Sequence, residues 1–168
     1  EDFVDKVNYD LANDLGNLLN RTVAMINKYQ GGKLVGNNGA KTDFDADLEK
    51  TAADAVAEYK EEMDKTHFAD ALAAVWKLVS RANKYIDETA PWALAKDPAK
   101  KQELANVLYN LTEALRVISV LISPFMPTTA VRIWQQLGLA QDFASVRTED
   151  IEQWGGVPAG LHVGTPEQ

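Results

Sequence analysis

The sequence predicts an all-α fold, an antiparallel helical bundle of about five helices with an irregular C-terminal segment. Three observations point there: long apolar stripes at helical spacing, short connections punctuated by Gly and Pro, and no alternating pattern that would mark a strand. A chain of 168 residues that is 46% hydrophobic can bury one substantial core and is too short for two ordinary domains. The expected division is a helical bundle over 1–145 and an irregular segment over 146–168 packed on it.

The first element repeats apolar residues at Phe3, Val7, Leu11, Leu15, Leu18, Thr22 and Met25, and stops at Gln30-Gly31-Gly32. Lys33 lies in the Gly-rich loop that follows. No Gly-Lys-Ser/Thr follows a strand there, so the loop lacks the phosphate-cradling pattern.

The second helix is expected from about Asp43 to Lys65. Thr42 is its expected N-cap and early acids suit the helix dipole. Phe44, Leu48, Ala52, Ala55, Val56, Tyr59 and Met63 form its inner stripe, which leaves the acids on an outer, solvated face. The third helix starts near Phe68, with Leu72, Val75, Trp76, Val79, Ala82 and Ile86 in register. It ends at Thr89-Ala90-Pro91-Trp92, because proline pushes the residue before it out of the helical region.

Asp97-Pro98 restarts the chain as a capping acid followed by proline. The fourth helix then carries Leu104, Val107, Leu108, Leu111, Leu115, Ile118 and Leu121 up to Ser123-Pro124. Pro127-Thr128-Thr129 opens a short fifth helix with Val131, Ile133, Trp134 and Leu137, closed by Gly138. Trp134 and Trp76 read as core, and Trp154, before Gly155-Gly156, reads as a pin for the tail.

Several function classes drop out on composition. With no cysteine there is no disulfide framework, no thiolate metal site and no sulfur redox chemistry, a pattern that suits a reducing cytosol. No uncharged apolar run reaches the roughly 18–20 residues of a membrane span. The acidic start Glu1-Asp2-Phe3-Val4-Asp5 is the reverse of a signal peptide. Lacking an initiator Met and starting inside a helical pattern, the chain is expected to be a fragment of something longer. The formal charge of -8 disfavours a polyanionic partner globally. Its location matters more: Asp43, Asp45, Asp47, Glu49, Asp54, Glu58, Glu61, Glu62 and Asp64 are opposed within 43–64 only by Lys50 and Lys60, and the rest of the chain is nearly neutral.

Catalytic patterns are missing as well. A di-iron or di-manganese bundle needs Glu-x-x-His on each of two helices, and the only histidines are His67 and His162. Asp64-Lys65-Thr66-His67 is one imperfect half of such a motif, so no metal ligand is expected and His67 reads as a surface or capping residue. Neither histidine sits in a triad pattern, and Gly-x-Ser-x-Gly is absent.

Three polar or aromatic positions stand apart from the stripes. Asn17 and Arg21 share a helix face one turn apart. An amide and a guanidinium fork suit the edge of a nucleobase, although the pair alone reads more simply as a solvated helix face. Gly16 beside them either leaves room for a ligand or marks close helix packing. Trp92, just after Pro91, either offers a stacking platform for an unpaired base or plugs the end of the bundle.

The segments Tyr9-Asp10-Leu11-Ala12-Asn13-Asp14-Leu15-Gly16-Asn17-Leu18-Leu19-Asn20-Arg21-Thr22 and Ala82-Asn83-Lys84-Tyr85-Ile86-Asp87-Glu88-Thr89-Ala90-Pro91-Trp92 resemble the anticodon-binding domain of bacterial methionyl-tRNA synthetases, which are class I aminoacyl-tRNA synthetases. Pro124-Phe125-Met126-Pro127 and Trp154-Gly155-Gly156-Val157-Pro158-Ala159-Gly160 extend the resemblance over nearly the whole chain. Leu-Gly-Asn-Leu is partly shared with related class I synthetases, so Ala-Pro-Trp carries the choice of methionine. The resemblance implies that Asn17 and Arg21 contact the cytosine at the first position of a CAU anticodon. It further implies that Trp92 stacks on a splayed base, with Pro91 fixing its approach. The implied partner is a methionine-accepting tRNA, and the implied setting is the cytoplasm. Neither His-x-Gly-His nor Lys-Met-Ser-Lys-Ser occurs, so the fragment itself is expected to bind no ATP or other cofactor and to perform no catalysis. ATP and aminoacylation belong to the catalytic domain of the same polypeptide in the parent enzyme. The further C-terminal tRNA-binding module through which some family members dimerise is missing too. Two alternatives stand beside this reading: the anticodon-binding domain of another class I synthetase, or a helical protein–protein interaction module that uses the acidic second helix.

Overall fold

The computed structural model describes the backbone of residues 2–165 and the side chains of 9–165. Five long helices and one single-turn helix follow each other: α1 (Asp2–Gln30), α2 (Asp45–Asp64), α3 (Phe68–Thr89), α4 (Pro91–Leu94), α5 (Lys101–Ile122) and α6 (Pro127–Gln136). The described residues form no strand, only an isolated antiparallel bridge between Lys33 and His162. The expected all-α bundle is what forms, with α4 added.

Helix directions follow from the side-chain pairs that join them. Lys77 meets Glu58 and Arg81 meets Asp47, so α2 and α3 run antiparallel. Phe68 packs edge-on against Phe125, and Asn110 donates to the Tyr85 hydroxyl, which makes α5 antiparallel to α3. Trp76 donates to Asp14 while Arg21 meets Asp87, so α1 and α3 point the same way. Up-and-down connectivity thus places the ends of α1 and α3 and the start of α5 at one end of the bundle.

Helix α5 is the spine, and every residue from Leu104 to Ile122 is buried. With the turn before it (Pro98–Ile122) it is the one described helix long and apolar enough to cross a membrane, yet its apolar part from Leu104 onward is wholly enclosed by its neighbours. Its two central charges neutralise each other. Arg116 donates to both carboxylate oxygens of Glu113, at 2.9 and 3.0 Å, and Glu113 is completely buried. The same carboxylate accepts the backbone N–H groups of Gly155, Gly156 and Val157 at 2.9, 3.2 and 3.1 Å. A buried ion is tolerated when its remaining lone pairs are filled, and the tail fills them here. Gly156 is required at this point, because a Cβ there would lie 2.3 Å from Arg116 Nη2. Trp154 donates its indole N–H to Asn110, as expected of a pin. Trp134 is buried, and Trp76 is half-buried.

Two expectations for α2 are corrected. Thr42 is not its N-cap: Phe44 occupies that position and no side chain caps the helix. Asp45 is not on the outer acidic face but is 2% exposed. Its carboxylate accepts from the Thr42 hydroxyl at 2.6 Å, the Tyr85 hydroxyl at 2.5 Å and the Asn106 amide at 2.7 Å. The physical reason is common to both corrections. Once four donors, these three and the Thr42 N–H at 3.0 Å, satisfy the carboxylate, burial costs little. The Thr42 hydroxyl, which donates to Asp45 and accepts from the Phe44 N–H ahead of the helix, caps no N–H within it. Elsewhere the local signals hold. Asp97 caps the Pro98–Lys100 turn by accepting from Ala99 N, and Pro127 opens α6 at its first position.

Candidate nucleic-acid interface

On α1, Leu11, Leu15, Leu18 and Leu19 turn into the core. Helical geometry then carries Asn13, Asn17 and Arg21 along a row of the opposite side, four residues apart. Asn13 and Asn17 are exposed and Arg21 is partly so. A Cβ added at Gly16 would meet nothing within 4 Å, so this glycine is not a helix-packing point and the surface beside Asn17 is open.

Arg21 is not a free cation. Its Nη2 donates to Asp87 Oδ1 at 3.1 Å, with the two side chains 31% and 69% exposed. The bond is partly solvated and contributes little stability, but it orients a planar fork whose other N–H groups remain available. One turn earlier on α3, Asn83 donates to the Asp14 carbonyl at 3.3 Å. Its own Oδ1 is buried and without a partner. Asp14 is thus held twice by α3, since Trp76 Nε1 donates to its carboxylate at 2.8 Å.

After Asp87, α3 ends on Ala90, a non-glycine residue in the left-handed region with φ 46° and ψ 67°. The Thr89 hydroxyl turns back to the Tyr85 carbonyl at 2.7 Å, and Thr89 and Pro91 are both buried. The turn is therefore clamped on either side of Ala90, and Pro91 restricts the backbone further. Trp92 leaves it with 45% of its surface exposed. A large aromatic held on a rigid turn yet half in water is unusual for a core residue, and here Pro91 fills the bundle end while Trp92 projects outward.

The four site residues expected from sequence thus divide. Asn17 and Arg21 share one face, Arg21 is tied to the last turn of α3, and Pro91 and Trp92 follow directly from that turn. Among the described residues, no hydrogen bond, ion pair or ring contact links Trp92 to Asn17 or Arg21. Sequence reading missed Asp87 and Asn83. Their i, i+4 spacing on α3 mirrors that of Asn17 and Arg21 on α1, a signal that gains meaning only once the two helices are known to run parallel.

One cluster of possible metal donors lies elsewhere. His67 Nδ1 is 3.0 Å from Glu62 Oε2 and 3.9 Å from Asp70 Oδ2, at the exposed corner between α2 and α3. That corner is at the opposite end of α3 from Asp87, roughly 28 Å away along the helix.

The family described as the anticodon binding domain of methionyl tRNA ligase matches residues 35–168. Helix α1, with Asn17 and Arg21, precedes that stretch but is included in matches to whole relatives. The methionine–tRNA ligase of Lactiplantibacillus plantarum is 56% identical over 99% of this chain, and that of Bacillus subtilis is 50% identical over 95% of it. These alignments cover 25% and 23% of the relatives, so the chain spans about a quarter of their length. Among solved structures, apo methionyl-tRNA synthetase from Mycobacterium tuberculosis superposes with a TM-score of 0.84 at 30% identity, covering 98% of this chain and 32% of that one. The same enzyme bound by methionyl-adenylate gives 0.83 at 32%. With a family model over residues 35–168 and relatives at 50–56% identity over nearly its whole length, the chain belongs to the family of methionyl-tRNA ligase anticodon-binding domains.

Proposed function

We propose that this domain reads the CAU anticodon of a methionine-accepting tRNA, on behalf of an ATP-dependent catalytic domain in the same polypeptide, in the cytoplasm. The observation that carries the proposal is the half-exposed Trp92 on its clamped turn, directly after the helix whose Asp87 orients Arg21.

The roles follow from the chemistry of an unpaired cytosine. Its edge offers two adjacent acceptors, the ring N3 and the O2 carbonyl, beside an exocyclic amine. The Arg21 fork donates to the acceptors, and Asn17 supplies an amide that both donates and accepts. Uracil carries a proton on N3, which meets the fork donor to donor. Trp92 stacks on a base splayed from the loop, as single-stranded RNA recognition commonly does. Pro91 holds the approach of the indole. The bundle over 1–145 bears these groups, and the segment over 146–168 braces it.

Titrating the domain with a CAU anticodon stem-loop, and with a copy changed at the first anticodon base, tests this reading. We expect tighter binding of the CAU loop. Equal affinity for the two, or no binding by folded protein at low salt, would overturn it.

A further inference from the structure

We propose that the cleft between the end of α1 and the start of α5 takes a second nucleotide of the same RNA loop, with its phosphate on Lys101 and its base over the apolar floor. This rests on the anticodon-reading proposal and extends it to a place that neither Asn17, Arg21 nor Trp92 reaches.

The cleft has a volume of about 630 Å³, inside the roughly 300–1,000 Å³ of sites that take small ligands. Leu104, Ala105 and Val35 supply its floor, and Tyr29 stands at its side. One wall is fixed: Asn38 donates to the Gln102 carbonyl at 3.0 Å while its own Oδ1 accepts from Ala40 N at 2.9 Å. Lys101 and the Gln102 amide form no side-chain hydrogen bond or ion pair among the described residues. An apolar floor with an unengaged amide and a cation at the rim matches a nucleotide, which presents a flat apolar face, a polar edge and a phosphate.

Continuity places this cleft on the same interface. A smaller one of about 280 Å³ shares Tyr29, Lys101 and Leu104 with it and runs on to Lys28 and Leu94. Leu94 closes the α4 turn that carries Trp92. A loop whose base stacks on Trp92 therefore has a path along this end of the bundle.

Charge supports the same occupant. Lys50, Lys60, Lys65, Lys77, Arg81 and Arg116 are each held in an ion pair. Lys28, Lys96, Lys100 and Lys101, grouped where α1 ends and α5 begins, form no ion pair among the described residues. Lys28 instead leans over the Tyr29 ring at 5.5 Å, which keeps its charge at the mouth of the cleft. The acid in the lining of the smaller cleft, Asp97, accepts from Ala99 N at 3.0 Å and keeps its charge, which leaves the four lysines in excess of it. In a chain of net charge -8, unneutralised lysines collected beside an apolar cleft favour a phosphate-bearing ligand.

The experiment compares the wild-type domain with Lys101→Ala, binding the CAU stem-loop over a range of salt. Resonances of Tyr29 and Leu104 are followed during the titration. Lys101 is exposed, so the variant should melt with the wild type. We expect roughly three- to tenfold weaker binding at low salt, as for one solvated charge-assisted contact. The plot of log K against log salt should be shallower by about 0.7. Discrimination between the CAU loop and the base-changed loop should be unaltered, and the Tyr29 and Leu104 signals should shift. Unchanged affinity and salt slope, or signals that stay fixed while the loop binds, would overturn the cleft assignment while leaving base reading intact. The converse result, a Lys101 effect together with equal binding of both loops and no effect of Trp92→Ala, would overturn the anticodon reading and leave the cleft as a general RNA site.

Discussion

Trp92 and Arg21 are held differently, one half-exposed after a turn and the other tied to Asp87, so their substitutions should differ under the proposed function. Trp92 is half-exposed and outside the core, so Trp92→Ala should leave the melting temperature almost unchanged. It should weaken stem-loop binding by about 1–3 kcal/mol through lost stacking, measured by titration of the folded variant. Arg21→Lys keeps the charge and removes the planar fork. The expected outcome is a reduced ratio of affinities for the CAU loop over the base-changed loop, with a smaller change in overall affinity; an unaltered ratio would exclude Arg21 from base reading. Glu113 belongs to a third kind of residue. Replacing it with Ala would leave Arg116 buried and three backbone N–H groups unpaired, so chemical denaturation should show a loss of about 3–5 kcal/mol.

At the scale of elements, most boundaries were legible from local signals, with Thr42 before α2 the exception. Phe68–Thr89 begins and ends where apolar spacing, Pro91 and the preceding turn require, and Asp97-Pro98 restarts the chain as a cap. What local pattern could not show was the fate of charged residues whose partners are distant in sequence. Asp45 sits among acids and reads as solvated until Tyr85 and Asn106 are brought to it. Glu113 reads as an interruption of an apolar helix until residues 155–157 close over it. The candidate site was legible in the same partial way: Asn17 and Arg21 as a pair and Trp92 as an outlier, with Asp87 invisible until α1 and α3 were aligned. Connections between elements are equally demanding. Gly138 has φ 75°, and a Cβ on it would lie 2.1 Å from the His162 carbonyl oxygen. Gly138→Ala should therefore destabilise by more than about 1 kcal/mol and loosen the tail from α6, which a lowered melting temperature and faster proteolysis of the tail would reveal.

For the molecule as a whole, alkaline pH should be the weak side. Burial pushes the Tyr59 hydroxyl up to about 12 from its ordinary 10.0. Burial, then donation to Asp45, pushes Tyr85 further in the same direction. Groups whose folded values are raised bind their protons more tightly in the native state. Their contribution is complete below pH 10.0, the unfolded value. It declines as pH rises through about 12 for Tyr59 and beyond that for Tyr85. Unfolding free energy measured across that window should fall steadily, and Tyr85→Phe, although less stable at neutral pH through loss of its hydrogen bonds, should show a weaker decline.

The open space beside Gly16 has one more implication, for how such a domain could change its reading. Asn17 and Arg21 stand on a completed helix, and Trp92 projects from a finished turn, so the core is already closed beneath all three. Under the proposed function, substitutions there should alter what is touched without disturbing what folds, since surface changes usually move stability by less than about 0.5 kcal/mol. A side chain grown at position 16 would enter solvent rather than a neighbouring helix. Libraries varied at 16, 17 and 21 should therefore yield mostly folded proteins, and selection on altered anticodon loops would act on recognition alone.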